Sequence, residues 1–285
     1  MVNENDFFNA FESVISPKDK VIVLYSGISS FITDIKFKKK NIPKTLLCIV
    51  EKIVTKKRTL ILPSFSANSF LKEKKFDIKK SIDNIGILPK YALKKNYFRT
   101  PQPLHSYVVF GKEKNKIKKL KHLTSWGNTS ILGYMSKRNA RICTLGLPWN
   151  KGCAYLHRFE ELFNVPWRYF KIFKGPMYIN GIKKGYCLEK KYSSPDNNIL
   201  KYDFKPFIKY IKEATSYKKY HNKSFSLESV NASCLDAIGN KIFFKNPWII
   251  VKNKKIVKEW ILKKKYEIIN SEYEINSTKL KFSSI

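Results

Sequence analysis

The sequence predicts an α/β domain with a mixed central sheet flanked by helices. Short apolar runs recur along it, as buried strands require: Lys20–Tyr25, Arg58–Leu62 and Arg141–Leu145. Between them lie segments whose apolar residues return every three or four positions, the spacing of one helix face. Strand and helix signals that alternate in this way point to a largely buried sheet covered by helices. Asn180-Gly181, between Met177-Tyr178-Ile179 and Ile182-Lys183-Lys184, has the residues that a two-residue hairpin turn needs. An antiparallel pair there makes the sheet mixed.

Taken in order, residues 4–15 read as a short amphipathic helix and 20–25 as a buried strand. Lys36–Lys40 is a basic loop, Lys44–Val54 a helix and Arg58–Leu62 a second buried strand. Asp83–Lys94 has helical spacing through Ile85, Leu88, Tyr91 and Ala92, and Ser106–Phe110 reads as a strand. Thr129–Arg138 reads as a helix capped by Asn128 or Thr129, whose side-chain oxygens can accept a free N–H of the first turn. Phe204–Ala214 is helical. From Val251 onward the chain reads as a basic amphipathic helix and then a polar end. The organisation is thus a main domain over 1–250 and a basic C-terminal helix and tail over 251–285. The tail is expected to pack on the domain edge, a peripheral membrane contact being the other reading of a basic amphipathic helix.

Composition narrows the class. A chain of 285 residues with 43% hydrophobic and 14% aromatic residues can bury a sizeable core. No apolar run approaches the ~20 residues that span a bilayer. The start, Met1-Val-Asn-Glu-Asn-Asp, has acids and no signal-peptide core, so a cytoplasmic protein is expected. The five cysteines (48, 143, 153, 187 and 234) are scattered and contain no Cys-x-x-Cys pair, which predicts reduced thiols and no metal. Of 56 basic residues, 50 are lysine, and the formal net charge is +34. A field of that sign attracts anions and disfavours polycations.

The most informative segment is Gly146-Leu-Pro-Trp-Asn-Lys-Gly-Cys-Ala-Tyr-Leu-His157-Arg-Phe-Glu160-Glu161-Leu-Phe. It follows the Arg141–Leu145 strand, so a strand delivers a loop and the loop feeds a helix bearing a lone histidine. Glu160 and Glu161 lie three and four residues on and can share its face. A general base needs a pKa near neutrality and a partner that fixes its tautomer. Cys153, four residues before His157, offers a Cys–His nucleophile as the less favoured alternative, since a free cysteine is most often a small buried hydrophobe.

This segment resembles the aminoglycoside 3-N-acetyltransferase family, whose Thr-x-x-His-x-x-Glu element appears here as Ala154-Tyr-Leu-His157-Arg-Phe-Glu160. Other blocks match in order over roughly residues 18–250. They are Ser26-Gly27-Ile-Ser29-Ser30, Pro63-Ser64-Phe-Ser66, Arg99-Thr-Pro-Gln102-Pro103-Leu-His105-Ser106, Gly127-Asn-Thr129-Ser130-Ile131 and Asn231-Ala-Ser-Cys234-Leu. The run after His157 is similar to the branch of the family associated with surface-polysaccharide biosynthesis. Gln102 stands where the family has His, Asn128 and Thr129 replace a glutamate-bearing pair, and Ile131 replaces Pro, which points to a changed acceptor side.

The resemblance implies an acetyl-CoA-dependent N-acetyltransferase, of a fold unlike the GNAT enzymes, whose signature the chain lacks. The acceptor would be the amine of an amino sugar, nucleotide-linked given the charge; an aminoglycoside antibiotic is the alternative. His157 would be the base, with Glu160 or Asp203 as the carboxylate that orients it. Asp203 reads equally well as a helix cap before Phe204. Ser26, Gly27, Ser29, Ser30, Ser106, Thr129 and Ser130 would hold coenzyme A, since backbone N–H groups and hydroxyls at such junctions can bind phosphate. His105 reads as an ordinary strand-edge residue. The high charge and the aromatics also fit a nucleic-acid-binding protein. Dispersed lysines, scarce arginine and the lack of a nucleic-acid module favour the enzyme.

Overall fold

A computed structural model describes residues 2–36, 41–55, 57–83, 85–95, 97–195 and 198–268, with side chains described to residue 263. The strands are β1 (Val21–Ser26), β2 (Thr59–Pro63), β3 (Phe76–Asp77), β4 (Phe98–Arg99), β5 (Tyr107–Gly111), β6 (Arg141–Leu145), β7 (Tyr169–Ile179), β8 (Ile182–Ser193), β9 (Lys218–His221) and β10 (Ser226–Asn231). The helices are α1 (Glu4–Val14), α2 (Ile42–Val54), α3 (Ala67–Glu73), α4 (Ile87–Lys94), α5 (Lys114–Lys118), α6 (Ile131–Lys137), α7 (Trp149–Gly152), α8 (Arg158–Leu162), α9 (Lys205–Lys212), α10 (Ala232–Lys245) and α11 (Lys254–Ile268).

The main sheet has the order β4-β5-β2-β1-β6-β10-β9. Its centre is parallel: β1 pairs with β2 on one side and with β6 on the other. The flanks run antiparallel, β5 on β2 and β10 on β6. β1, β2 and β6 are buried at every position, so they read as continuous apolar runs and not as alternation. The side chains of β1 still divide by parity. Val21, Val23 and Tyr25 join one core with Ile131 of α6, Phe159 of α8, Phe207 of α9 and Leu235 of α10. Ile22 and Leu24 join the opposite core with Phe7 of α1, Leu47 of α2 and Leu88 of α4. Each such side chain withdrawn from water contributes about 1.5–3 kcal/mol, which is why helices cover both faces.

The architecture is the predicted one, but the mixed character has another source. The Asn180-Gly181 hairpin forms as expected, with φ of 52° and 84° at its two turn residues. It belongs to a second, three-stranded sheet, β3-β7-β8. The antiparallel members of the main sheet are β4, β5, β9 and β10. Asp83–Lys94 is helical only from Ile87, because Gly86 before it has φ 118°. The helix expected over Thr129–Arg138 begins at Ile131, and its cap is Ser130, not Asn128 or Thr129. The Ser130 hydroxyl accepts from the Leu132 and Gly133 N–H groups.

The C-terminal segment packs on the rest. Val251 bridges to Tyr202, and Val257 of α11 is wholly buried in the larger core. The polar end expected after it, and most of the basic loop Lys36–Lys40, lie outside the described residues. No described helix is long and apolar enough to cross a membrane.

Candidate active site

The chain leaves β1 and β6 toward opposite faces. After β1 it enters the core with Ile28 and Phe31, and after β6 it enters the other with Trp149, Tyr155 and Leu156. Two adjacent parallel strands whose connections diverge leave a crevice at their carboxyl ends, where open α/β sheets bind ligands. Here that crevice is a cavity of about 560 Å³, lined by Ser26, Gly27, Ser29, Phe65, Leu147, Lys151 and Gly152 among others. A second cavity, of about 740 Å³, shares Phe65, Lys151 and Gly152 with it and continues to His105, Trp126, His157, Arg168, Lys191, Tyr202, Asp203, Lys205 and Lys252.

His157 ends a 3₁₀ turn, Ala154–His157, that runs directly into α8. The offset of three residues puts Glu160 on the same face, and His157 Nδ1 lies 2.7 Å from Glu160 Oε2. Glu160 is fully buried, and donors surround it. Trp167 Nε1 and the Tyr202 hydroxyl donate to Oε1 at 2.8 and 2.7 Å. The Arg168 guanidinium lies 2.8 Å from Oε2. Burial pushes the carboxyl up, but the charge of Arg168 and the His157 hydrogen bond outweigh it and hold Glu160 ionised far below the usual carboxylate range.

An ionised carboxylate can only accept, so the shorter contact, with Glu160, assigns the ring proton to Nδ1 and leaves the lone pair on Nε2; the Arg168 guanidinium, 3.2 Å from the same nitrogen, donates to Glu160 and Tyr202. The His157 ring sits against Trp126 (centroids 5.3 Å apart), Tyr202 (5.4 Å) and Phe204 (5.6 Å). Desolvation by this wall lowers its pKa below the ordinary histidine value; Glu160 opposes the shift, while Arg168 and His105 add to it. The imidazole is therefore neutral at physiological pH, oriented, and on the cavity wall. Trp126 is itself fixed. Its backbone N–H donates to Glu161 Oε2 (3.1 Å), its backbone carbonyl accepts from Arg158 (3.0 Å), and Arg168 lies over the indole at 4.6 Å.

The other expected site residues divide. Ser26, Gly27 and Ser29 line the crevice, and a Cβ on Gly27 would collide with the Leu147 side chain. Ser30 lies outside its lining; its hydroxyl donates to the Gly27 and Gly146 carbonyls, tying together the two diverging loops. Ser106 is fully buried between Arg99 and Ser64, Ser130 is used as a helix cap, and Thr129 is exposed; none of the three lines either cavity. Asp203 lines the larger cavity but makes no hydrogen bond to His157. Its Oδ1 accepts from the Lys205 N–H at the start of α9, so of the two carboxylates Glu160 is the one on the ring. The Cys153 thiol is pushed up to about 12 by burial, which disarms a Cys–His nucleophile.

His105 is not a strand-edge residue. It is buried, lines the larger cavity, and its Nδ1 lies 2.8 Å from the fully buried Glu189. Glu189, Trp126, Trp167, Arg168 and Tyr202 escaped the sequence reading. Only Trp167-Arg168, close in the chain to His157 and Glu160, sat where proximity was a cue.

A neutral, carboxylate-held histidine beside a crevice at the ends of parallel strands has the parts that a general base requires. The comparisons supply the family. The aminoglycoside 3-N-acetyltransferase family model matches residues 32–233, and the chain belongs to that family, a class of acetyl-CoA-dependent N-acetyltransferases. Solved structures agree on the fold. Aminoglycoside acetyltransferase AAC(3)-Xa superposes with a TM-score of 0.67 at 15% identity, over 84% of this chain and 92% of that one. The YokD protein from Bacillus subtilis gives 0.67 at 16%, over 86% and 94%. AAC-IIIb, in a binary structure with CoASH, gives 0.66 at 14%, over 84% and 95%. No curated protein matches by sequence. Among the described residues no group of His, Cys, Asp and Glu could hold a metal ion.

Proposed function

We propose that this enzyme moves the acetyl group of acetyl-CoA to the amine of an anionic amino sugar, nucleotide-linked, in surface-polysaccharide biosynthesis. The carrying observation is the sign of charge around His157. Among the described residues the larger cavity is lined by Lys151, Arg168, Lys191, Lys205 and Lys252, and by one carboxylate, Asp203. Arg168 is matched by Glu160, which leaves four lysines and a single acid among the described lining residues. Such a wall attracts a diphosphate and opposes a polycation, locally as well as over the whole surface.

In this reading His157 Nε2 takes a proton from the attacking amine, and Glu160 keeps Nδ1–H in place and stabilises the imidazolium. The carbonyl carbon of the thioester gains the C–N bond and loses the C–S bond, and the thiolate leaves with the proton. Ser26, Gly27 and Ser29 would hold the coenzyme A diphosphate, with the pantetheine arm passing Lys151 and Gly152 toward His157. AAC-IIIb, solved as a binary with CoASH, supports that donor.

An aminoglycoside acceptor is the second reading. It is favoured by a variant of AAC(3)-IVa, 15% identical, solved in complex with a gentamicin. Thiol release from acetyl-CoA, measured with a panel of nucleotide-linked amino sugars and of aminoglycosides, separates the two. Turnover of aminoglycosides alone refutes the first.

A further inference from the structure

The larger cavity holds a second histidine–carboxylate pair. His105 Nδ1 lies 2.8 Å from Glu189 Oε1. Glu189 is fully buried and completely used: the Ser125 hydroxyl donates to Oε1 at 2.5 Å, and the N–H groups of Leu104 and His105 donate to Oε2 at 2.8 and 3.1 Å. Of this set only the His105 ring lines the cavity. Trp126 stands between the two histidines, its ring centroid 5.5 Å from His105 and 5.3 Å from His157. Both imidazoles have Nδ1 directed at a buried carboxylate. Both are thereby left with Nε2 as the free nitrogen.

Resting on the N-acetyl transfer read above, we propose that His105 is a second proton acceptor of the same reaction. It takes the proton that the acceptor brings in as an ammonium, and His157 takes the one released on attack. An ammonium that becomes an amide gives up two protons from nitrogen, and one imidazole Nε2 holds one. The first goes from the ammonium to His105, which makes the amine nucleophilic. The amine attacks the thioester carbonyl carbon, and its second proton goes to His157. The C–S bond breaks, and His157 returns that proton to the departing thiolate. His105 releases its own to solvent. A protonated His105 disfavours a second positive charge on His157, and so keeps the base neutral until attack. The charged groups around His105 are Glu189 of β8, His157 across Trp126, and Arg168, Lys151 and Lys191 on the shared wall.

The test is the pH profile of kcat/KM for H105Q and H105N, with acetyl-CoA and the amino sugar that the wild-type enzyme accepts from the panel. Near neutrality the variants should lose ~10²-fold, and the loss should shrink by about tenfold per pH unit up to the acceptor's own amine pKa, where the amine arrives neutral. H157Q should show no such recovery. A loss in H105Q that is the same at every pH, or no loss, overturns the proposal and leaves the proposed reaction standing. A panel without any acceptor for the wild type overturns the proposed reaction, and this proposal with it. An NMR titration of the His157 ring provides a readout that mere packing would not move. Its midpoint should rise in H105Q, and an unmoved midpoint overturns the shared field.

Discussion

Glu160→Gln tests the site most sharply, because every neighbour of the carboxylate is a donor. Trp167 Nε1 and the Tyr202 hydroxyl meet one oxygen, and His157 Nδ1 and Arg168 meet the other. An amide has a single acceptor end. Whichever way it turns, its NH2 faces donors that were bonded before. The substitution also strands the Arg168 guanidinium, whose side chain is 3% exposed. Breaking a buried pair by neutralising one partner costs about 3–5 kcal/mol. The remaining Arg168 bonds to the Tyr192 carbonyl and the Tyr202 hydroxyl place the expected cost at the lower end. At ~2–4 °C per kcal/mol for a large domain, the melting temperature should fall by roughly 6–12 °C. Turnover should fall by at least ~10²-fold, toward the ~10⁴-fold seen when the orienting carboxylate of a serine-protease triad becomes an amide. The sign with pH follows. The folded-state pKa of Glu160 lies below its unfolded value, so its stabilisation is complete above the ordinary carboxylate range and is lost as pH falls through and below it. E160Q should melt with a weaker acid dependence than the parent. Scanning calorimetry across pH and thiol release at saturating substrates measure both effects. A variant that melts and turns over like the parent would show that neither charge balance nor ring orientation depends on Glu160.

Other outcomes follow from the same geometry. His157→Asn and His157→Ala should keep the fold and lose at least ~10²-fold in turnover, and near-native rates would remove His157 as the base. The acid limb of kcat/KM should lie below the ordinary histidine value, because desolvation lowers the His157 pKa; a limb above that value contradicts the assigned cause. Coenzyme A should raise the melting temperature of the protein, and less so in Gly27→Val, which fills the crevice beside Leu147; equal shifts would place the donor elsewhere. Activity on a nucleotide-linked amino sugar should decline as salt is added, since the attraction is screened over about 8–10 Å, and a flat salt response would discount the lysine wall. Cys153 should resist alkylation in the folded protein, and rapid labelling by mass spectrometry would contradict its burial.

What the sequence made readable was whatever is local along the chain. Buried parallel strands are continuous apolar runs, so β1, β2 and β6 stand out, and the Asn180-Gly181 turn follows from the need for positive φ at two positions. The His157–Glu160 pair is three residues apart and could be seen as one helical face. The rest of the site is assembled across the chain. Glu189 reaches His105 over 84 positions, and Tyr202 reaches Glu160 over 42. Neither link leaves a periodic trace. In the sequence Ser106 and Ser130 look like Ser26, because a hydroxyl near a strand or helix end suits a phosphate. The same hydroxyl suits a buried arginine or a helix cap, and that is where the fold uses it. The β9–β10 edge was missed because Lys218–His221 is half exposed and has no apolar run.

The place of β1 in the sheet governs when the crevice proposed for the donor can exist during synthesis. Its neighbour on one side, β2, follows it closely, but its neighbour on the other side is β6, with Ile22 in register with Arg141. Until residues 141–145 leave the ribosome, β1 has one open edge, and the loop after it has nothing to diverge from. Non-local parallel pairing of this kind is slow to close and exposes strand edges meanwhile. A product that stops before Arg141 would therefore lack this crevice and would carry an unpaired apolar strand edge, a template for aggregation. A ligand of that crevice could stabilise only a chain that has passed this point.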